Sequence, residues 1–73
     1  MPAGHTNKRT LTDYRAHLLR EAERWGGIDR TNTSSAERRQ IGDMTRFGWL
    51  RDNGGLYQIT AKGKSVLSHG HEI

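Results

Sequence analysis

The feature of this sequence that most constrains its fold is the stretch from Arg38 to Leu67, which reads RRQIGDMTRFGWLRDNGGLYQITAKGKSVL. Its first part has the apolar spacing of an amphipathic helix, which ends in the run Gly48-Trp49-Leu50. A tight glycine turn, a short alternating strand and a threonine-capped helix follow. A helix, a β-hairpin and a second helix within thirty residues predict a mainly α fold with a small β-hairpin, in the α+β class.

A further helix is predicted before this stretch, over Thr10–Trp25. Apolar residues recur there at spacings of three and four, which places them along one side of a helix. These residues are Leu11, Tyr14, Leu18, Ala22 and Trp25, with Leu19 beside them. Thr10 stands three residues before Asp13, as in a capping box, and a Gly-Gly pair ends the run. Trp25 is predicted in the core, as is Trp49, although tryptophan also serves as an exposed anchor for protein partners.

The second helix is predicted to start near Ser34 and to end at Gly48. Ser34 and Glu37 have the spacing of a capping box, and glycine is the usual residue just past a helix C-terminus. At about 100° per residue, its apolar side holds Ala36, Gln40, Ile41, Met44 and Phe47. The opposite side holds Ser35, Arg38, Arg39, Gly42 and Arg46. Glycine costs a helix about 1 kcal/mol relative to alanine, so we expect at Gly42 the close approach of either a phosphate backbone or another helix.

A β-hairpin is predicted across Trp49–Ile59, with its turn at Asp52–Gly55. The Asn-Gly and Gly-Gly pairs in this turn supply the positive φ angles that hairpins need. Thr60 is predicted to cap a short final helix. Upstream, the segment 28–33 is too short and too polar for a full helix, so Ile28 is predicted to form a bridge of one or two residues to a later strand.

Length and composition limit the chain to one small domain. Its 73 residues leave no room for a second core, and without cysteine no disulfide can brace it. Residues 1–9 are predicted to be a disordered basic arm, residues 10–68 the folded domain and residues 69–73 a flexible tail. The sequence has no run of about 20 apolar residues, so we expect no membrane segment and a cytoplasmic location.

The residue types give little support to catalysis or to a tightly bound metal. Cysteine is absent, while serine, histidine and aspartate stand in predicted caps, turns and the tail. No pair of nucleophile and base is suggested, so we expect no enzyme activity. His69 and His71 lack the further ligands of a protein zinc site. Neither a metal nor a cofactor is therefore expected.

Residues 34–67 resemble the winged helix-turn-helix superfamily of bacterial, archaeal and phage regulators. The resemblance rests on Met44-x-x-x-Gly48-Trp49-Leu50 and on the run Tyr57–Leu67, YQITAKGKSVL. In that superfamily the corresponding residues end the recognition helix, start the wing and lead from the wing into a final helix. The resemblance implies a winged-helix-like domain that binds duplex DNA, although winged helices also serve as protein-docking modules.

One segment departs from the pattern of that superfamily. A complete domain has two helices between its first helix and its wing, whereas the stretch between Gly27 and Gly48 has room for one full helix. Either the helix before the recognition helix has shrunk to a turn within Asp29–Thr33, or the helix Leu11–Trp25 takes its place. In the second case the usual first helix is missing, and the C-terminal helix has to cover the core.

The resemblance also implies a set of DNA contacts. On the second helix these are Ser35, Arg38, Arg39 and Arg46. Arg38 and Arg39 are near the end that usually meets base edges, and Arg46 is better placed for phosphate. In and after the wing the implied contacts are Arg51, Asn53, Lys62 and Lys64, and in the arm they are Lys8 and Arg9. The alternative interpretation of the same arginines is a solvated helix face that serves solubility.

The net charge is +4, with nine arginines against three lysines, which suits phosphates but equally an acidic protein surface. The leading hypothesis is a small DNA-binding transcription regulator, compatible in size with a phage or mobile-element protein, that reads duplex DNA with helix 34–47 and a short wing. One such helix has a small interface, so a homodimer or a partner protein is expected. The alternative is a regulator that docks on a host machine such as RNA polymerase, or on another regulator, without specific DNA binding.

Overall fold

The computed structural model describes residues 9–72. Within this range, three α-helices pack against a small three-stranded antiparallel sheet. The elements are α1 (Asp13–Trp25), β1 (Ile28–Asp29), a 3₁₀ turn (Arg30–Asn32), α2 (Ser35–Phe47), β2 (Leu50–Asn53), β3 (Leu56–Ile59) and α3 (Ala61–His69). The predicted mainly α, α+β fold is confirmed, and the order of the elements is compatible with a winged-helix layout.

Helix α1 begins at Asp13 rather than near Thr10. The hydroxyl of Thr12 accepts a hydrogen bond from the backbone N–H of Arg15 at 3.1 Å and so caps the helix. The carbonyl of Thr10 instead accepts a hydrogen bond from Nη1 of Arg15, at 2.8 Å. The predicted start was therefore early, because a threonine two residues later takes the capping position.

The segment between α1 and α2 contains a strand and a turn. Ile28 pairs with Tyr57 of β3, so the predicted bridge from Ile28 is confirmed. The 3₁₀ turn that follows is held by Asp29, whose Oδ1 accepts hydrogen bonds from the backbone N–H of Thr31 at 2.9 Å and from its hydroxyl at 2.8 Å. This order of elements is compatible with the first of the two alternatives, in which a turn stands in place of a helix and α1 is the first helix.

Local capping chemistry sets both ends of α2. Oγ of Ser34 accepts a hydrogen bond from the N–H of Glu37, and Oε1 of Glu37 accepts one from the N–H of Ser34, which completes the predicted capping box. Gly48 ends the helix with a φ of 84°, a conformation that side chains with a Cβ rarely adopt. The chain then enters β2 directly, and this places the hairpin next to the C-terminal end of α2.

The predicted hairpin β2–β3 is confirmed, but its turn is shorter than the predicted Asp52–Gly55, because Asp52 and Asn53 belong to β2. Asn53 pairs with Leu56, and Gly54 and Gly55 between them have φ angles of 66° and 92°, as a tight hairpin turn requires. Strand β3 lies in the middle of the sheet, with β1 on one side and β2 on the other. Thr60 then caps α3 by accepting a hydrogen bond from the N–H of Gly63 at 3.0 Å, as predicted.

The core lies between the helices and the sheet. Its buried apolar side chains are Leu18, Leu19, Ala22, Ile41, Met44, Phe47, Trp49, Leu50 and Val66. The burial of Trp49 confirms its prediction. The prediction for Trp25 is wrong, because its indole lies along its own helix and is 67% exposed. Ala36 is also exposed, although its spacing placed it on the apolar side of α2.

Candidate nucleic-acid interface

One side of α2 carries the residues Ser35, Arg38, Arg39, Gly42 and Arg46, which we call the arginine face. All five are exposed. The other four residues follow Ser35 by three, four, seven and eleven positions, and these spacings bring residues onto one side of an α-helix. The opposite side of α2 is buried through Ile41, Met44 and Phe47. The structure therefore brings together the α2 residues that the sequence implied.

Arg38 and Arg39 differ in their local contacts. Arg38 donates from Nε to the hydroxyl of Thr33 and from Nη2 to its carbonyl, each at 3.3 Å. These long hydrogen bonds lie at the solvent-exposed N-terminal end of α2, and a competing anion can replace them. Within residues 9–72, the guanidinium of Arg39 has no hydrogen-bond or ion-pair partner. Arg39 is thus the arginine of this face most open to an external partner.

Arg46 is anchored by a buried carboxylate. Its Nη2 contacts Oδ1 of Asp43, and its side chain is nevertheless 73% exposed. The other oxygen of Asp43 lies 3.3 Å from Nη2 of Arg15, which is fully buried. Asp43 therefore holds one guanidinium in the core and a second on the surface. The exposed guanidinium keeps further N–H groups directed to solvent, since arginine has five donors.

The buried guanidinium of Arg15 connects α1 to α2. Beyond Asp43, it donates from Nε to Oε1 of Gln40 at 2.7 Å, and it lies 5.2 Å from the ring centre of Phe47. Burial lowers the pKa of Arg15 from its usual value, and the nearby carboxylate of Asp43 raises it again. Arginine is not deprotonated in proteins, so the side chain remains charged. The angle between α1 and α2 is thus set in part by a buried ion pair.

Sequence reasoning missed both members of this pair, although a signal was present. Arg15 stands four positions before Leu19 and seven before Ala22, and Asp43 stands four before Phe47. These spacings place both charged residues beside the apolar positions of their helices. Two opposite charges that fall on two apolar helix sides indicate a buried pair.

The predicted wing residues are divided between several surroundings. Nδ2 of Asn53 donates to Oε1 of Gln58 at 3.1 Å across the hairpin. Arg51 and Lys64 line one shallow groove beside the C-terminal end of α1, and no residue of α2 lines it. Lys62 instead lies 3.5 Å from Oε2 of Glu72. The structure therefore brings Arg51 and Lys64 together, apart from Lys62.

Of the two predicted arm residues, Lys8 lies outside the described residues, and Arg9 is in contact with the domain. Nη1 of Arg9 donates to Oε2 of Glu72 at 3.1 Å and to the carbonyl of Phe47 at 3.4 Å. Glu72 also accepts a hydrogen bond from Nε1 of Trp49 at 3.0 Å. That hydrogen bond, followed by the contacts with Arg9 and Lys62, holds the pKa of Glu72 below its usual value. The predicted flexibility of residues 69–73 remains a prediction.

Gly42 lies in the middle of the arginine face. A Cβ built on Gly42 meets no other atom within 4 Å. Of the two alternatives for Gly42, the close packing of another helix does not occur within the described part of the chain. The helix loses about 1 kcal/mol by having glycine instead of alanine, and no contact within residues 9–72 requires it. The centre of the arginine face, at Gly42, therefore carries no side chain.

Residues 9–72 contain neither a membrane-spanning helix nor a cluster of metal-ligating side chains. No helix in that range is long and apolar enough to cross a membrane. No three side chains of histidine, aspartate or glutamate come together there in an arrangement that could hold a metal ion. In the predicted tail, Nδ1 of His69 lies 2.8 Å from the carbonyl of Ser65, one turn earlier in α3.

Comparison of the chain with protein-family models, with curated proteins and with solved structures gives no match.

Proposed function

We propose that this protein is a small winged-helix DNA-binding regulator of transcription that inserts α2 into the major groove of duplex DNA. The observation that supports this best is the arginine face, which stands exposed on a helix whose other side forms part of the core. A recognition helix needs this division, because one side must be held by the protein while the other meets the groove.

The position of α2 in the chain supports the same proposal. In the winged-helix layout the recognition helix directly precedes a two-stranded wing, as α2 precedes β2 and β3. At the place of the helix that supports a recognition helix in that layout, this chain has the turn Arg30–Asn32. The buried pair of Arg15 and Asp43 joins α2 to α1 instead. This ion pair is another way to hold α2 at a fixed angle to α1.

The contacts of each arginine suggest a division of roles. Arg39, which has no partner within the described residues, is free to make a bidentate contact with a guanine edge, and such contacts discriminate between bases by about 1–3 kcal/mol. Arg38 at the N-terminal end of α2 is a second candidate for base or phosphate. Arg46, held in place by Asp43, suits a phosphate, where it positions the protein on the duplex.

The central glycine of the arginine face fits this proposal. A helix that lies deep in the groove comes close to a base edge or to the sugar-phosphate backbone. Gly42 has no Cβ to obstruct that approach, and nothing inside the described structure accounts for it. A glycine in such a place lets the backbone of α2 approach DNA more closely than alanine would.

The proposal is tested with a labelled random duplex and fluorescence anisotropy. The double variant Arg38→Ala/Arg39→Ala is expected to lose measurable binding while its thermal midpoint stays near that of the wild type, because both side chains are exposed. The matched control is Arg20→Ala/Arg30→Ala, which removes the same charge from exposed positions outside the arginine face. If the two double variants lost the same amount of duplex affinity, the loss would be due to net charge alone. That result would contradict the proposal.

Salt dependence provides the companion measurement. The logarithm of the binding constant falls linearly with the logarithm of the salt concentration, and each phosphate contact adds about −0.9 to the slope of that line. Arg46→Ala should make this slope shallower by about one such contact. Binding that does not change with salt would rule out phosphate contacts.

A second candidate function is docking on an acidic protein surface. It is favoured by the hydrogen bonds of Arg38 to Thr33 and by the ion pair of Arg46 with Asp43, which leave Arg39 as the one arginine of the face without a partner in the described range. Arginine suits carboxylates as well as phosphates. Under this alternative, random duplex leaves the arginine face unaffected, and a partner such as RNA polymerase retains the protein through the same residues.

A further inference from the structure

One carboxylate oxygen of Glu72 is surrounded by three N–H donors from separate parts of the fold. Oε2 of Glu72 lies 3.0 Å from Nε1 of Trp49 and 3.1 Å from Nη1 of Arg9. Nζ of Lys62 is 3.5 Å from the same oxygen. Arg9 precedes α1, Trp49 directly precedes β2 and Lys62 lies in the first turn of α3. We call these three donors, Arg9, Trp49 and Lys62, the donor cluster.

The composition of the donor cluster is that of an oxyanion site. Arginine and lysine are the side chains that bind phosphates and carboxylates through charge-assisted hydrogen bonds. The indole N–H adds a neutral donor. The two positive charges of the cluster face the single negative charge of Glu72, so one positive charge remains uncompensated. The cluster therefore suits a phosphate both in charge and in the type of its donors.

The indole of Trp49 needs an acceptor at this point. Trp49 is fully buried, and a buried N–H group without an acceptor is costly. Glu72 supplies that acceptor here. Whenever Glu72 moves away, a water molecule or an anion has to take its place against Nε1, and the two neighbouring cations favour an anion.

Glu72 is held in a way that allows this exchange. Gly70 ends α3, and residues 71 and 72 belong to neither a helix nor a strand. The described hydrogen bonds of Glu72 all involve its carboxylate. The side chains of Arg9 and Lys62 are 49% and 47% exposed, and ion pairs at such exposed positions contribute little to stability. An external anion can therefore compete with Glu72 for the same donors.

The donor cluster lies next to the C-terminal end of α2. Nη1 of Arg9 also donates to the carbonyl of Phe47, the last residue of that helix, at 3.4 Å. Phe47 follows Arg38 by nine positions, and nine residues extend about 13 Å along an α-helix. This length is comparable with the width of the major groove, which is about 12 Å. A duplex that meets Arg38 at one end of α2 can therefore bring a backbone to the donor cluster at the other end.

We propose that the donor cluster is a phosphate-binding site that Glu72 closes in the free protein. A phosphate displaces the carboxylate from Trp49 and from both cations, and the segment 70–72 moves away from the domain. Glu72 thus acts as an internal competitor that lowers the affinity for phosphate. The identification of this phosphate with the backbone of DNA rests on the proposed function, whereas inorganic phosphate has the same chemistry and needs no duplex.

The first test is an NMR titration of the ¹⁵N-labelled protein with inorganic phosphate, followed at the two indole N–H resonances. In Glu72→Ala the Trp49 resonance should shift to saturation. The wild type should need on the order of ten times more phosphate, as for a site that an internal ligand fills in about 90% of the molecules. The indole of Trp25, which donates to Glu21, is the internal control and should not shift.

Two controls complete this titration. Sodium chloride at the same ionic strength separates phosphate binding from general salt effects. Glu72→Gln keeps an acceptor for Trp49 without the charge, so it should also respond at lower phosphate than the wild type, and the test does not depend on one variant. If the Trp49 resonance of both variants ignores phosphate, or if the wild type responds as strongly as the variants, the proposal is overturned.

Fluorescence anisotropy with the labelled random duplex shows whether DNA supplies the phosphate. Glu72→Gln should bind duplex about tenfold more tightly than Glu21→Gln, because only the former removes the internal competitor. Glu21→Gln is the matched control, since it removes the same charge from a carboxylate that also accepts a hydrogen bond from an indole. Adding Lys62→Ala to Glu72→Gln should abolish the gain in affinity.

The two titrations separate this proposal from the proposed function. If phosphate shifts the Trp49 resonance while the two glutamine variants bind duplex equally well, the site is supported and the DNA backbone is excluded as its source of phosphate. If the wild type does not bind duplex at all, the proposed function fails, and the titration with inorganic phosphate still decides whether the site exists.

Discussion

Asp43 and Arg15 form an ion pair inside the protein, with Oδ2 of Asp43 3.3 Å from Nη2 of Arg15 and side chains that are 2% and 0% exposed. The pair joins α1 to α2. The second oxygen of Asp43 contacts Arg46 on the arginine face. One buried carboxylate therefore links the packing of the two helices to the position of an exposed guanidinium.

Removal of Asp43 should be strongly destabilising. Asp43→Ala leaves the charge of Arg15 buried without its carboxylate, and breaking such a pair typically costs about 3–5 kcal/mol. The whole stability of a domain this small is of the same order, so the variant is expected to be largely unfolded. Urea denaturation followed by far-UV circular dichroism measures the loss.

The control for this prediction is Arg46→Ala. It removes the exposed partner of the same carboxylate and leaves the buried pair intact, so its cost should be at most about 1 kcal/mol. If Asp43→Ala proved no more destabilising than Arg46→Ala, the buried pair would not have the structural importance assigned to it.

Gly42→Ala should change stability and binding in opposite directions. The added methyl group meets no atom within 4 Å, and alanine favours the helix by about 1 kcal/mol. The free energy of unfolding should rise by about that amount. Duplex affinity should fall, because the methyl group obstructs the close approach of DNA to α2. Urea denaturation and anisotropy are measured on the same preparation. A variant that is more stable and binds duplex as tightly as the wild type would show that nothing approaches Gly42 closely.

Gly63→Ala should have the opposite effect on stability. A Cβ at Gly63 would clash with the backbone carbonyl of Trp49 and would lie 2.9 Å from Cγ1 of Ile59. The backbone cannot move aside cheaply, so we expect a loss of about 1–3 kcal/mol or more. The same denaturation measurement applies, with Gly42→Ala as the matched glycine-to-alanine control. A neutral Gly63→Ala would mean that α3 is packed less closely against the start of β2.

The contacts of Glu72 predict a dependence of stability on pH. The hydrogen bond from Trp49, and then the contacts with Arg9 and Lys62, lower the pKa of Glu72 below its usual value in the folded protein. A lowered carboxylate pKa stabilises the fold above the unfolded pKa, and this stabilisation is lost as the pH falls through the folded value. The difference in thermal midpoint between the wild type and Glu72→Gln should therefore be largest at neutral pH and vanish in acid.

Asp29 and Glu37 also have lowered pKa values, through hydrogen bonds from Thr31 and Ser34 respectively. The comparison with Glu72→Gln removes their contribution, since both proteins contain them. A difference in midpoint that is the same at neutral and acidic pH would show that the charge of Glu72 contributes nothing to stability.

The local features of this fold were predictable because neighbouring residues determine them. The capping box of Ser34 and Glu37, the Gly54-Gly55 turn and the cap at Thr60 each need only a few adjacent residues. The predicted bridge from Ile28 was also confirmed. In that case the segment 28–33 after α1 is too short and too polar for a helix, so an extended residue followed by a turn was expected.

Burial was harder to predict, because it depends on what lies opposite a residue in space. Trp25 and Ala36 had apolar spacing on their helices, yet both are exposed. Arg15 has the same spacing and is fully buried, since Asp43 on another helix neutralises it. A charged residue can thus belong to the core when a partner on another helix supplies the opposite charge. Here that partner is 28 positions away in the sequence.

The most direct test of the central claim is an NMR titration of the ¹⁵N-labelled protein with random duplex DNA. If α2 is a recognition helix, the amide shifts of Ser35, Arg38, Arg39, Gly42 and Arg46 should move most, with smaller changes in the hairpin and none at Trp25. The shifts should decrease as salt is raised. If duplex DNA leaves the amides of this face unmoved at low salt, α2 does not bind DNA and the claim is contradicted.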